Sequence, residues 1–250
     1  RLGGATHAIA ADGEGFVHRW VTLAAPLDPG AWHPVAFALD DGDVPPPPAG
    51  AGAESDDDAR TDGVLVPPAT ARLGIVSDMD DTVLQSEVGS FLRAARMVLL
   101  ENARTRLPFP GVAAYYRALQ DGPRGAARPQ GNPIFYVSSS PWNLYDVIAE
   151  FLEAQRIPAG PLLLRDWDLG PALASSAPHK RARIAEVFAT YPDLPFLLVG
   201  DSTQEDPEIY GALAREHPGR VAAIHIRDVG GDARRSAAIR ALAEDARAAG

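Results

Sequence analysis

The chain contains no cysteine, which excludes disulfide scaffolds, thiolate metal sites and thiol nucleophiles and leaves oxygen and imidazole as the available metal ligands. Lysine is almost as scarce. Lys and Arg total 23 residues, of which only Lys180 is lysine, leaving 22 arginines. A position that keeps lysine against that background needs a compact ammonium that the planar arginine fork cannot imitate, unless it is there by drift. No apolar run approaches the roughly 20 residues of a membrane span, so a soluble chain is expected; the compartment stays open, with a cytoplasmic location, free or peripheral to a membrane, favoured. With a net charge of -10, broad binding to nucleic acid or to an anionic membrane surface is not expected. Arg1 is followed by no basic-then-apolar leader, the pattern of a start removed by processing or truncation. Oligomeric state leaves no signal.

The 250 residues, 46% of them hydrophobic, are enough for one large domain or for a core with a smaller companion. Residues 1–69 look β-rich. Gly15 to Leu23 carries Phe16, Val17, Trp20 and Val21 behind a turn signal, Trp32 to Leu39 is a second strand-like run, and Gly63 to Val66 is a third. Between them, 40–62 is a solvated loop with successive prolines from Pro45 and acids at 56–58. His18 and His33 lack a second ligand at useful spacing and are expected on strand surfaces.

From residue 70 onward, apolar runs alternate with helical patterns. Strands are expected at Ile75–Val76, Pro133–Val137, Gly160–Leu164, Pro195–Val199 and Val221–Ile226. Helices are expected at Ser86–Arg106, Gly111–Gln120, from about Asn143 to Glu153, after Lys180, from Pro207 to Arg215 and from Asp232 to Ala249. This alternation predicts an α/β fold, a parallel sheet with helices on both faces, over 70–250, preceded by a small β-rich domain over 1–69. The helix at Ser86–Arg106 has an apolar and an arginine-bearing face, which either covers the site entrance or meets a lipid surface. The first is favoured because amphipathic helices of soluble proteins usually face a core.

The organising stretch is Leu73-Gly74-Ile75-Val76-Ser77-Asp78-Met79-Asp80-Asp81-Thr82, an apolar run that ends in three carboxylates and a hydroxyl. A buried strand leaving the core there delivers its acids to the carboxyl edge of the sheet, where open α/β folds hold ligands. Carboxylates so close repel and need a cation or a shared proton. Two other strands end, and one helix begins, in chemistry of the same kind. Ser138-Ser139-Ser140 follows Val137, with hydroxyls well placed for phosphate beside the next helix. Lys180 opens a helix, at the terminus where lysine is not favoured for structural reasons, with His179 as its neighbour. Gly200-Asp201 and Asp206 follow Val199. If these ends share one sheet edge, oxygen ligands without cysteine suit magnesium. An aspartate can then attack phosphorus, and a second can protonate the leaving oxygen.

Asp78-Met79-Asp80-Asp81-Thr82, Ser138, Lys180 and Gly200-Asp201 with Asp206 resemble, in order, the four motifs of the haloacid dehalogenase (HAD) superfamily of phosphatases. The wording around them resembles more narrowly the catalytic domain of the actin-patch-type phosphatidate phosphatases and their bacterial relatives. These neighbouring segments are Ser-Ser-Ser-Pro-Trp, His-Lys-Arg, Gly-Asp-Ser-Thr-Gln-Glu-Asp-Pro-Glu-Ile-Tyr and the Ile-Arg-Asp after the fifth strand. The resemblance covers about 70–230. It implies a HAD-like Rossmannoid sheet, a bound Mg2+ and hydrolysis of a phosphomonoester through an aspartyl phosphate. It further implies Asp78 as nucleophile and metal ligand, and Asp80 as general acid and base that also contributes to the metal. Thr82, Ser138 and Ser139 bind phosphate, with Ser140 open to sharing that role. Lys180 holds the phosphoaspartate, Asp201 completes the metal shell and Asp206 orients it. The implied substrate is phosphatidate at a membrane surface, giving diacylglycerol. A soluble phosphomonoester is the enzymatic alternative, and a docking module with an inactive core is the alternative of another class.

Overall fold

The computed structural model describes residues 2, 5, 7–13, 17, 19–35, 63–79, 111–165, 177–229 and 231–248, with side chains to residue 245. Asp80, Thr82, the helix expected at 86–106 and the 40–62 loop lie outside the described residues. The chain divides into two compact units, Arg1–Ala69 and Thr70–Gly250.

In the first unit, β1 (Ala31–Pro34) pairs antiparallel with β2 (Gly63–Val66), Ala31 opposite Val66 and Pro34 opposite Gly63. The strand expected from Gly15 to Leu23 is not formed at its described residues, 17 and 19–23. Its described strand-favouring apolar residues stay largely in solvent, Val17 and Trp20 being 47% and 79% exposed. The second expected strand starts one residue early and stops at Pro34, a residue with no N–H to continue a ladder. His33 Nε2 donates to the Asp28 carbonyl at 2.8 Å, a surface role.

The second unit is built on β3 (Gly74–Asp78), β4 (Ile134–Pro141), β5 (Leu162–Arg165), β6 (Phe196–Asp201) and β7 (Val221–Arg227). They pair in parallel in the order β5-β4-β3-β6-β7. Strands β3 and β6 are buried along their whole length, which is why their sequences read as unbroken apolar runs rather than alternation. Among the described residues five α-helices accompany them: α1 (Val112–Asp121), α2 (Tyr145–Ala154), α3 (Ala177–Thr190), α4 (Asp206–Glu216) and α5 (Ala233–Ala248). One core joins Ile75, Ile134, Tyr136 and Leu197 to Tyr116 of α1 and Ile148 and Phe151 of α2. On the other face, Val76, Phe135, Phe196 and Leu198 meet Ile184 and Phe188 of α3 and Ile209 and Leu213 of α4. Helix α5 packs on α4. Each fully buried aliphatic or aromatic side chain in these layers stabilises the fold by about 1.5–3 kcal/mol. Among the described residues no helix is long and apolar enough to cross a membrane.

Two fastenings fix the elements that carry the site. The Asn132 Oδ1 accepts the N–H groups of Arg72 and Leu73 at 2.9 and 3.3 Å, while its Nδ2 donates to the Leu119 carbonyl at 2.9 Å, so the start of β3 is tied to the end of α1. Arg220 Nη2 donates to the carbonyls of Phe188, Tyr191 and Leu194, gathering acceptors that the end of α3 leaves without intrahelical partners.

Two boundaries differ from the sequence reading. The serines at 138–140 lie inside β4, which runs to Pro141 with a register shift against β5 after Val137; a 3-10 turn, Trp142–Leu144, then precedes α2. Between the pairs Val137 with Leu163 and Pro141 with Arg165, β4 carries two more residues than β5, a bulge that takes in the serines. Strand β5 begins at Leu162, two residues later than expected, because Gly160 and Pro161 do not favour ladder positions.

Candidate active site

The strand order places the chain reversal between β3 and β6: after β3 the chain builds outward through β4 and β5, then returns to lay β6 and β7 on the other side. Ligands of open α/β sheets bind at such a point, outside the carboxyl ends of the strands. Asp78 is the last residue of β3 and Asp201 the last of β6, and both are completely buried. Asp206 opens α4 with Pro207 behind it, where the partial positive charge of the helix start favours a carboxylate. Carboxylate oxygens of Asp78, Asp201 and Asp206 lie within 4.8 Å of one another.

Lys180, in the first turn of α3, reaches into this cluster and is 1% exposed. Its Nζ lies 2.7 Å from Asp78 Oδ1 and 2.6 Å from Asp206 Oδ1, and it donates to Gln204 Oε1 at 3.3 Å. Burial opposes the ammonium, but the carboxylates of Asp78 and Asp206 more than offset it and hold the Lys180 pKa above the ordinary lysine value. Burial likewise raises the pKa of Asp206, an effect that Lys180 counters and the neighbouring Asp201 charge reinforces. His179 is half-buried, and desolvation with the charges of Arg183, Arg165 and Lys180 lowers its pKa to about 4. It is therefore neutral at physiological pH.

The acidic side chains are oriented by hydrogen bonds that use only some of their oxygens. Asp206 Oδ2 accepts the Asp201 N–H at 3.2 Å while its Oδ1 takes Lys180, so this carboxylate struts the end of β6 against α3. Asp201 Oδ1 accepts the N–H of Thr203 at 2.6 Å and of Gln204 at 3.3 Å, together with the Thr203 hydroxyl. This is an Asx-type turn that consumes one oxygen. Asp201 Oδ2 is buried without a hydrogen-bond partner, a state that costs free energy unless a cation takes it up. Behind β3, Ser77 Oγ donates to the Asp78 carbonyl at 2.8 Å and therefore accepts from the hydroxyl of the fully buried Tyr116, 2.5 Å away. Replacing Tyr116 with Phe should cost about 1 kcal/mol, read as a lower urea midpoint with an unchanged slope.

The residues present fit a hard divalent cation. The donors are all carboxylate oxygens, one of them orphaned, and among the described residues of the cluster three buried carboxylates face one ammonium, an excess of two formal negative charges. Gly200 makes the approach possible. A Cβ there would lie 2.5 Å from Asp206 Oδ2 and 2.7 Å from its Cβ. Gly200→Ala should therefore displace Asp206, lowering stability by about 1–3 kcal/mol and weakening any divalent-cation binding at this cluster, as thermal unfolding and metal titration would show.

Of the site residues read from the sequence, the structure gathers Asp78, Asp201, Asp206 and Lys180 into one cluster. Ser138 directly follows Val137, the register partner of Asp78, and is buried at the same sheet edge, where its Oγ accepts the Ser140 N–H at 3.0 Å. The hydroxyls of Ser139 and Ser140 are buried without a hydrogen-bond partner. Asp80 and Thr82 lie outside the described residues. The sequence reading missed Gln204, Thr203, Ser77 and Tyr116. An Asp followed two residues on by Thr is a signal for the first turn, whereas nothing local marks Tyr116 as the partner of a serine 39 residues away.

The model of the catalytic domain of phosphatidate phosphatase APP1 matches residues 73–228. Phosphatidate phosphatase APP1 of Saccharomyces cerevisiae is 30% identical over 159 residues, which is 62% of this chain and 26% of that protein. The uncharacterized protein C29B5.04c of Schizosaccharomyces pombe is 26% identical over 163 residues, 64% of this chain and 26% of that protein. The chain thus spans about a quarter of the length of both relatives. Among solved structures, a chain in the structure of the Pnkp1/Rnl/Hen1 complex is 15% identical at a TM-score of 0.43, covering 68% of this chain and 55% of that one, a likeness too loose to inform function. The match over 73–228 takes in all five parallel strands and every acid of the buried cluster, and the chain belongs to the family of the phosphatidate phosphatase APP1 catalytic domain.

Proposed function

We propose that this chain is a magnesium-dependent phosphatase that transfers the phosphoryl group of a phosphomonoester to Asp78 and then hydrolyses the aspartyl phosphate, with phosphatidate as its substrate. The observation that carries the chemistry is the buried set of Asp78, Asp201, Asp206 and Lys180 at the sheet's reversal point. The family match supports a lipid phosphate as the substrate.

In this reading an Asp78 carboxylate oxygen attacks phosphorus, a P–O bond to Asp78 forms as the bond to the ester oxygen breaks, and Asp80 gives that oxygen its proton. Water then attacks the phosphoaspartate, Asp80 takes back a proton, and inorganic phosphate leaves with Asp78 restored. Lys180 fixes the Asp78 carboxylate through Oδ1 before the reaction and offsets charge on the phosphoryl oxygens during it. Ser138, with Ser139 and Thr82, offers hydroxyls to the phosphate. Asp78, Asp201 and Asp206 would hold the metal with the Asp80 backbone, and a bound magnesium ion supplies charge neutralisation at the phosphoryl group.

The test compares turnover of phosphatidate in mixed micelles with that of short soluble phosphate esters, each with magnesium and with chelator. Chelator-sensitive turnover that favours the lipid is the expected result. Turnover unaffected by chelator would remove the metal reading, and no preference for the lipid would remove phosphatidate as substrate.

A further inference from the structure

The turn that shapes Asp201 is held from outside by a residue beyond the family match, which ends at 228. Arg235, in the first turn of α5 and 29% exposed, donates from Nε to the Ser202 carbonyl at 3.0 Å and from Nη2 to the Gln204 carbonyl at 2.7 Å. It also forms a two-pronged pair with Glu208 of α4, Nη1 to Oε1 and Nη2 to Oε2, the latter at 2.9 Å. The N–H groups of Thr203 and Gln204 point inward to Asp201 Oδ1, while the carbonyls of Ser202 and Gln204 point outward to the guanidinium. One residue thus grips the back of the peptide turn whose front orients a buried carboxylate, and Gln204 extends the same turn to Lys180 through its side chain.

We propose that Arg235 is a positioning residue for the cation site: by fixing the 202–204 turn against α4, it commits Asp201 Oδ1 to the turn and presents Oδ2 to the cation. The proposal rests on the metal reading given above. Lysine cannot replace the fork. Four bonds leave three nitrogens in one plane, and an ammonium has neither the reach nor the geometry to hold two carbonyls and a carboxylate together. The contact area of the fork lies about 30 residues along the chain from the acids it serves, so a domain cut at the family boundary would lose it.

Magnesium titration of the full chain by calorimetry tests this in the wild type, Arg235→Lys, Glu208→Gln and Arg240→Lys, the last lying on the exposed side of the same helix, with a thermal unfolding curve for each. The expected result is a roughly tenfold loss of magnesium affinity in Arg235→Lys, a smaller loss in Glu208→Gln and none in Arg240→Lys. Affinity in Arg235→Lys within twofold of wild type would overturn the positioning role even if the unfolding midpoint drops, because a purely structural clamp lowers the midpoint without changing the affinity of the folded molecules. Wild-type chain that binds no magnesium would instead remove the metal reading and the proposal with it, so the two failures are distinct.

Discussion

Replacing Asp78 with asparagine is expected to lower phosphomonoester turnover by about 10³-fold or more, the scale of losing a nucleophile, while leaving the chain at least as stable as before. The first half follows from chemistry: an amide oxygen in the same place cannot form and release an aspartyl phosphate. The second half follows from burial. Asp78 sits completely buried with two other carboxylates within 4.8 Å and one ammonium between them, so removing one negative charge relieves repulsion in a medium that screens poorly. Lys180 keeps its 2.6 Å partner in Asp206. Turnover measured with magnesium and thermal unfolding measured without added metal read the two effects separately. A variant that retains turnover within tenfold of wild type would take the nucleophile away from Asp78, and one that unfolds readily would contradict the electrostatic account.

The opposite change should have the opposite signature. Lys180→Met removes the ammonium placed among the three acids, and breaking a buried ion pair from one side costs about 3–5 kcal/mol. The pH dependence gives a finer test. In the wild type the folded-state pKa of Lys180 is raised, so its contribution to stability is complete below the unfolded value and is lost only as pH rises through the folded one; it is fully present at neutral pH. For Asp206 the folded-state pKa is raised by burial, with Lys180 working against that rise. A raised carboxylate disfavours the fold above its folded-state pKa and ceases to do so as it protonates, so stability increases as pH falls. Without Lys180 the rise is unopposed, and Lys180→Met should recover more stability than wild type on passing from neutral to acidic pH. Magnesium should also raise the midpoint of the variant, since an ion that binds only the folded form stabilises it. Chemical unfolding at the two pH values checks both, and a variant as stable as wild type at neutral pH without metal would show that the acids need no internal cation.

Much of this site is written into the chain because the residues that build it lie where strands end. Ile75-Val76 before Asp78 and Leu197-Leu198-Val199 before Asp201 are apolar runs interrupted by acid, and a parallel sheet turns such interruptions into neighbours. Lys180 stood out because it is the single lysine beside 22 arginines. The supports were not legible. Arg235 is one of several arginines in a helix with little apolar patterning, and its partners lie 27–33 residues away. Tyr116 reads as one more core aromatic until its hydroxyl is seen to meet Ser77. Strand signals in the first unit misled for a related reason: Val17 and Trp20 are residue types that favour strands, but such residues form a strand only where they pack against a partner. The extension of β4 through Ser138, Ser139 and Ser140 was hidden because serine runs favour turns, while here the bulged pairing with β5 carries the strand to Pro141.

The most direct test of the account is a crystal structure of the full chain with magnesium and beryllium fluoride, which mimics a phosphoryl group on a carboxylate. The predicted result is a fluoroberyllate bound to the Asp78 carboxylate, one magnesium ion shared by Asp78 and Asp201 Oδ2, and Lys180 Nζ within hydrogen-bonding distance of the adduct. An adduct on any other residue, or an ion bound away from Asp78 and Asp201, would contradict it.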